Sequence, residues 1–229
     1  NDPAKRYKMF VYPHTDSNNH LSLFFSADGI HWGDPVAESG VVGDRTTAFY
    51  NPFRGVWVYS IRENAFGRRR TYWEHKDPVE GAHWDKGEPH RWVGADRLDQ
   101  VWPELDELPQ LYNLDAVAYE SLMLGFFSVW YGQPKDRPKP NELYMGFSRD
   151  GFHWYRPDRQ PFIGVSDKPG DWNWGNIQSA GGGCLVVGDK LYFYVSGRSG
   201  VPGKQTPGSG TCATGLATLR RDGFVSMDS

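Results

Sequence analysis

The chain has 229 residues, with 25 Lys and Arg against 28 Asp and Glu, a formal net charge of −3. That balance excludes the basic footprint expected of a nucleic-acid binder, and no apolar run approaches the ~20 residues that span a bilayer. Aromatic residues make up 15%, with 27 Gly and 16 Pro, a composition that fits many short strands, because aromatics suit pleated surfaces and Gly and Pro supply turns.

Strands are predicted in pairs along the chain. Tyr7–Tyr12 and Leu21–Phe25 form the first pair, and Thr46–Tyr50, Val56–Ile61 and Arg69–Glu74 form a second unit. Ala116–Phe127, Val129–Tyr131 and Glu142–Phe147 form a third, and Gly183–Val187, Leu191–Val195 and Thr214–Leu219 a fourth. No 12-residue segment carries helical periodicity. Leu98–Leu111 comes nearest, but Pro103 and Pro109 break it. The two cysteines, Cys184 and Cys212, form no CxxC; they either pair across a hairpin or stay as two buried thiols.

A short motif punctuates these units. Ser26-Ala27-Asp28-Gly29-Ile30-His31-Trp32 recurs as Ser148-Arg149-Asp150-Gly151-Phe152-His153-Trp154. Looser copies are His75-Lys76-Asp77 with Gly81-Ala82-His83-Trp84, and Arg221-Asp222-Gly223-Phe224. Asp-Gly is a tight-turn signal: Gly accepts positive φ, and the Asp side chain caps nearby amides. The motif resembles the Asp-box turns of sialidase-like propellers. Asp28, Asp150 and Asp222 therefore read as turn formers, and His31, His83 and His153 as turn or packing residues. Repeated antiparallel units of this kind read as an all-β propeller in one domain over residues 1–229, with about four blades visible and a front blade outside the chain. Gly132–Asn141 reads as a Pro-rich hairpin connection, Ser196–Gly215 as a mobile outer loop, and Arg68-Arg69-Arg70 as a solvated strand edge.

In a propeller the innermost strands converge, so acids at their starts become neighbours. Three such starts are Gly43-Asp44-Arg45-Thr46, Asn113-Leu114-Asp115 through Tyr119-Glu120-Ser121, and Trp174-Gly175-Asn176-Ile177-Gln178-Ser179. Asp and Glu are depleted in strands, so acids there ask for a reason. The alternative for each is a structural carboxylate paired with Arg45, Arg54 or Arg62. Trp174, Asn176 and Gln178 offer stacking and hydrogen bonds, while blade packing is the competing role for Trp174 and the better one for Trp172. No G-x-S-x-G, HExxH, P-loop or G-x-G-x-x-G is present.

Residues 43–57, from Gly43-Asp44-Arg45-Thr46 through Asn51-Pro52 to Trp57, together with Tyr119-Glu120-Ser121-Leu122-Met123-Leu124, resemble the five-bladed propeller glycoside hydrolases of families 32, 43, 62 and 68. Asp44 is followed by Arg45 where that grouping has Pro, and no Pro follows Glu120. The resemblance implies cleavage of a glycosidic bond in a plant or microbial glycan by two carboxyl groups. Glu120 would be the general acid. Asp44, beside Arg45, would orient the sugar and tune the acid, and Asp115 is the rival for either role. Asp115 lies five residues before Glu120, so only one of the two would point inward from one strand. The resemblance calls for no cofactor and accommodates a structural calcium ion. The expected partner is carbohydrate, with neither nucleic acid nor membrane, and open sheet edges would favour homo-oligomers. The competing functions are a non-catalytic sugar-binding propeller and a hydrolase of carboxyl esters on the same scaffold.

Overall fold

A computed structural model describes residues 2–13, 19–65, 67–135, 137–199 and 211–224. Residues 200–210, the centre of the expected outer loop, lie outside the described set. The elements are strands, with two single 3-10 turns at Pro3–Lys5 and Glu80–Ala82 and no α-helix among the described residues. The chain forms two compact units, Asn1–Gly94 and Ala95–Ser229.

The first unit holds two antiparallel sheets. One joins β1 (Tyr7–Val11), β2 (Ser22–Ser26) and β3 (Ala37–Glu38); the other is a meander of β4 (Thr47–Asn51), β5 (Val56–Glu63), β6 (Arg69–His75) and β7 (His90–Val93). The β4–β5 turn is set by Asn51, whose Oδ1 accepts from the amides of Phe53 (3.1 Å) and Arg54 (3.3 Å), and by Gly55 at φ 64°. Leu21, Val42, Tyr59, Ile61 and Trp84 form the core. Tyr59 and Trp84 meet edge to face at 5.1 Å. Gly40 is obligatory beside them, because a Cβ there would lie 2.4 Å from the Trp84 carbonyl oxygen.

The second unit is one seven-stranded sheet. β8 (Gln110–Tyr119), β9 (Leu122–Trp130) and β10 (Asn141–Ser148) form an antiparallel meander. The chain then crosses to β11 (Asn176–Ala180), which pairs with β10 in parallel at Asn141 and Asn176. Beyond it lie β13 (Lys190–Arg198), with the short β12 (Leu185–Val187) and β14 (Cys212–Arg220) as its other partners. β11 also lies against β8 and β9. A core of Tyr119, Leu124, Phe126, Leu143, Met145, Ile177, Leu191, Phe193 and Val195 binds these layers together. Cys184 is buried and Cys212 exposed, and they do not form a disulfide.

Two sequence expectations need revision, and one ambiguous segment is settled. The strand expected over Ala116–Phe127 is two strands, broken by a two-residue turn at Glu120 and Ser121. The Arg68–Arg70 run is not a solvated edge, since Arg70 is fully buried and donates from Nη1 to the Arg45 carbonyl at 2.8 Å. Residues 98–111 are an irregular strap until β8 begins. Arg156 grips Asp99 with two parallel hydrogen bonds (2.8 and 2.9 Å), and Arg159 bridges Asp96 and Asp99.

The recurrent motif builds the same turn twice. Asp28 Oδ1 accepts from the amides of Ile30 and His31, both at 2.8 Å, and Asp150 Oδ1 accepts from Phe152 (2.9 Å) and His153 (2.8 Å). In each copy the second carboxylate oxygen meets the histidine Nδ1 at 2.7 Å, and the serine Oγ accepts from the glycine amide. Gly29 and Gly151 take φ of 78° and 76°. Trp154 packs onto Gly125 and meets Phe127 edge to face at 5.7 Å. Partial burial pushes the Asp150 carboxyl up, but the hydrogen bonds from His153 and Phe152 outweigh it and hold the group far below the usual range.

These contacts set two stability expectations. Asp99 and Arg156 have side chains 2% and 4% exposed, so Asp99→Ala leaves the buried guanidinium with its single bond to Asp96 and is expected to cost about 3 kcal/mol in urea melts. Asp150→Ala removes side-chain caps and is expected to cost roughly 1 kcal/mol. Because the folded pKa of Asp150 is depressed, its contribution is present above an unfolded value near ~3.9 and is lost as pH falls below it. Acid titration of the melting temperature should therefore show a flatter acid limb in the variant than in the parent.

Candidate functional site

The sheet of the second unit has two chemically different ends. At one end lie the β8–β9 turn and the Asp150 turn, joined by the register of Ser148 with Met123. Glu120 sits here. It occupies the left-handed region at φ 49°, is exposed, and pairs with Arg221 at 2.8 Å. Tyr119 donates to Asp222 at 2.5 Å beside it. Glu120 is thus a turn residue in an exposed ion pair.

The opposite end is polar and buried. β8 brings Asn113 and Asp115, two residues apart and so on one face, and Asn113 Nδ2 donates to Asp115 Oδ2 at 2.8 Å. Register sets Asn113 opposite Ser128 and Asp115 opposite Phe126, and nearer the strand ends it aligns Gln110 with Trp130, Trp130 with Asn141, Asn141 with Asn176, and Asn176 with Arg198. Asn113, Asp115, Ser128, Asn141, Asn176 and Gln178 are between 0% and 8% exposed. Asn176 Nδ2 donates to the Lys139 carbonyl at 2.7 Å, and Arg198 Nη2 lies 3.5 Å from Gln178 Oε1.

This end holds more polar capacity than it uses. Among the described residues, Asn113 Oδ1, Ser128 Oγ, both amide atoms of Asn141, Asn176 Oδ1 and Gln178 Nε2 are buried with no hydrogen-bond partner. Leaving such a group unmade costs about 1–3 kcal/mol, and this sheet end gathers six of these atoms on five side chains. Above the amides stand aromatic and cationic groups. The Arg137 guanidinium lies 5.3 Å from the Trp102 ring and 5.9 Å from Trp174. Lys139 donates to the Tyr112 hydroxyl at 2.7 Å.

The sequence candidates therefore separate. Asp115, Asn176, Gln178 and Trp174 lie at the amide end, and Glu120 lies at the far end of β8. Trp172 packs its ring against Gly197 and Gly215, where a Cβ would come within 2.5 and 2.2 Å, in keeping with the packing role expected for it. Asp44 and Arg45 belong to the first unit. Asp44 is ion-paired with Arg62, whose amide also binds Thr46 Oγ1 at 3.0 Å, and Arg45 takes φ 63° with its carbonyl held by Arg70.

Sequence reading passed over Glu142, Arg137 and Arg198. Glu142 is the half-buried acid at the start of β10. Burial pushes its carboxyl up, against the opposing effect of hydrogen bonds from the Val165 amide and the Tyr144 hydroxyl. It neighbours Asn141 in sequence, so it projects from the other face of β10 and does not join Asp115. Arg137 was hidden in a segment that reads as a Pro-rich loop, and Arg198 inside the expected mobile loop Ser196–Gly215, whose ends are instead strand, in β13 and β14.

No family model matches the chain, and no curated protein matches it. Among solved structures it is similar to an N-acetylgalactosamine deacetylase from F. plautii in complex with blood group B trisaccharide, at TM-score 0.59 and 14% identity, over 93% of this chain and 71% of that one. It is similar to BT0996 in its RGII complex, at TM-score 0.55 and 13% identity, over 93% and 66%. It is also similar to a glycoside hydrolase, at TM-score 0.55 and 11% identity, over 97% and 65%. The likeness shows the fold: all-β, of the propeller type found in glycoside hydrolases. The chain spans between 65% and 71% of the length of these proteins.

The turn placement of Glu120 yields a direct check. A strand glutamate loses stability on conversion to Gly, whereas a left-handed one is relieved of a strain of about 1 kcal/mol that offsets glycine's added chain entropy. Glu120→Gly is expected to melt at or slightly above the parent's temperature in calorimetry.

Proposed function

We propose that this chain carries the carbohydrate site of a glycan-processing hydrolase, with Asp115 as one of the two carboxyl groups that break a glycosidic bond. One observation carries the reading: a buried carboxylate stands in a row of buried, incompletely bonded side-chain amides, on a fold shared with glycan-active proteins. Sugar hydroxyls donate and accept at once, so Asn and Gln amides, which also do both, are their natural partners. Asn113 orients the Asp115 carboxyl through its amide hydrogen, and the enclosed setting strengthens any charge that Asp115 offers to a developing oxocarbenium ion. Trp174, half-buried beside Arg137, supplies an aromatic face at the rim.

One of the structural neighbours is a deacetylase, so the same scaffold hosts acyl hydrolysis as well. The two chemistries separate in one assay. Wild type, Asp115→Asn and Glu120→Gln are compared on aryl glycosides, plant oligosaccharides, aryl acetates and N-acetylated sugars, each variant first checked for an unchanged melt. Asp115→Asn should lower sugar release by about 10²–10⁴-fold, the usual worth of a positioned acid or base, and Glu120→Gln should leave it near the parental rate. Sugar release that survives Asp115→Asn would overturn the assignment, and acetate release without sugar release would replace glycosidase by acyl hydrolase.

A further inference from the structure

The amide end of the second unit also gathers positive charge. Arg137 faces Gly175, where a Cβ would lie 3.2 Å from Nη2, and Gly175 immediately precedes Asn176. Lys139 gives its carbonyl to Asn176, and Arg198 reaches Gln178 and pairs in register with Asn176. Two guanidinium groups, those of Arg137 and Arg198, thus lie at one strand start, while the Lys139 ammonium is held on Tyr112. Among the described residues, the acid paired with them is Glu104, which lies 3.6 Å from Arg137 Nη1 with its own side chain 74% exposed. An ion pair so exposed neutralises little.

The cations keep donors in reserve. Among the described residues, Arg137 Nε and Nη2, Arg198 Nε and Gln178 Nε2 are buried without a hydrogen-bond acceptor. Arg198 Nη1 is spent on the Cys212 sulfur, and Lys139 Nζ on Tyr112. Unused guanidinium N–H groups and an unused amide N–H form a set of donors with no acceptor among the described residues. Neutral sugar hydroxyls would leave that charge unbalanced, and a carboxylate satisfies it, because guanidinium forks fit its two oxygens.

We infer that the site takes an acidic sugar, with the uronate carboxylate of the glycan held by Arg198, Gln178 and Arg137 beside the Asn141–Asn176 pair. This rests on the glycan reading proposed above and names its substrate class. Holding the charge at the strand start leaves the Trp174 face for the sugar ring and places the neighbouring linkage toward Asp115.

Titration calorimetry with trigalacturonate and with galactotriose, each at low and high salt, tests it. Trigalacturonate should bind at least about tenfold more tightly than galactotriose and weaken with salt, as a screened charge contact does. Arg198→Gln should weaken trigalacturonate by about tenfold, the worth of one charge-assisted hydrogen bond, with Arg198→Lys restoring part of the loss and the salt dependence. Galactotriose binding as well as or better than trigalacturonate would overturn the acidic-sugar inference and leave the glycan site standing. Binding of neither would overturn the glycan reading and the inference with it.

Discussion

The second unit turns on the parallel junction between β10 and β11. Everything before it is an antiparallel meander whose strands follow one another in sequence, and everything after it is built on β13. The two halves meet through one registered pair, Asn141 with Asn176, a backbone bond from Asn141 to the Gly175 carbonyl, and the Asn176 side chain on Lys139. Parallel pairing demands a long crossover, and here the crossover is the 27-residue stretch from 149 to 175, between the end of β10 and the start of β11. It also carries Trp154, Arg156 and Trp174. Side-chain amides are well suited to such a junction, because they extend the backbone's hydrogen-bonding vocabulary where the regular ladder stops. The unbonded amide atoms gather where the sheet changes hands, which is where the site proposed above lies.

That arrangement has an energetic consequence. The apolar core beneath the junction, from Tyr119 through Phe126 to Phe193, supplies the burial that drives the fold. The polar row above it subtracts from stability wherever an amide goes unbonded. A sheet end optimised for stability alone would carry Val or Leu at 113, 141, 176 and 178. Keeping four amides and a carboxylate in that setting goes against the local rules of folding, which is the ground for the site proposed above. The contrast with the other end is instructive: the Asp150 carboxylate there accepts from the amides of Phe152 and His153 and meets the His153 ring within its own turn, which makes it a finished structural part.

Much of this was legible in the chain. The Asp-Gly turns are local chemistry, so their geometry follows from seven residues, and most strands lie within one or two positions of where alternation puts them. The acid in an apolar strand at Asp115 and the polar pair Asn176 and Gln178 were also visible. Glu120 was misplaced because a two-residue hairpin normally announces itself with Asn or Gly, and Glu-Ser carries no such mark. Arg70 could not be read as buried, since burial of a guanidinium depends on a distant carbonyl, that of Arg45. Arg137 and Arg198 were hidden for the same reason: their importance lies in a register between strands 35 and 57 residues apart, from Asn141 to Asn176 and to Arg198, which no local pattern encodes.

The position of Glu142 shows why a shifted carboxyl is a weak guide by itself. Its burial raises it, as an acid catalyst's would be raised, yet the tyrosine hydroxyls of 131 and 144 already form a chain that ends on it. It completes an internal network on the far face of β10. Asp115 has a different setting: it is oriented by the Asn113 amide and stands in a row of amides with unfilled hydrogen-bonding atoms. Catalytic groups must be able to exchange partners during a reaction, and a group whose neighbours are unfinished can do so at lower cost than one locked in a closed chain. Since this fold is shared by a deacetylase and a glycoside hydrolase, the sheet cannot choose the chemistry. The choice has to come from the side chains that the sheet carries, and the Asp115 and arginine assignments proposed above are a statement about those side chains alone.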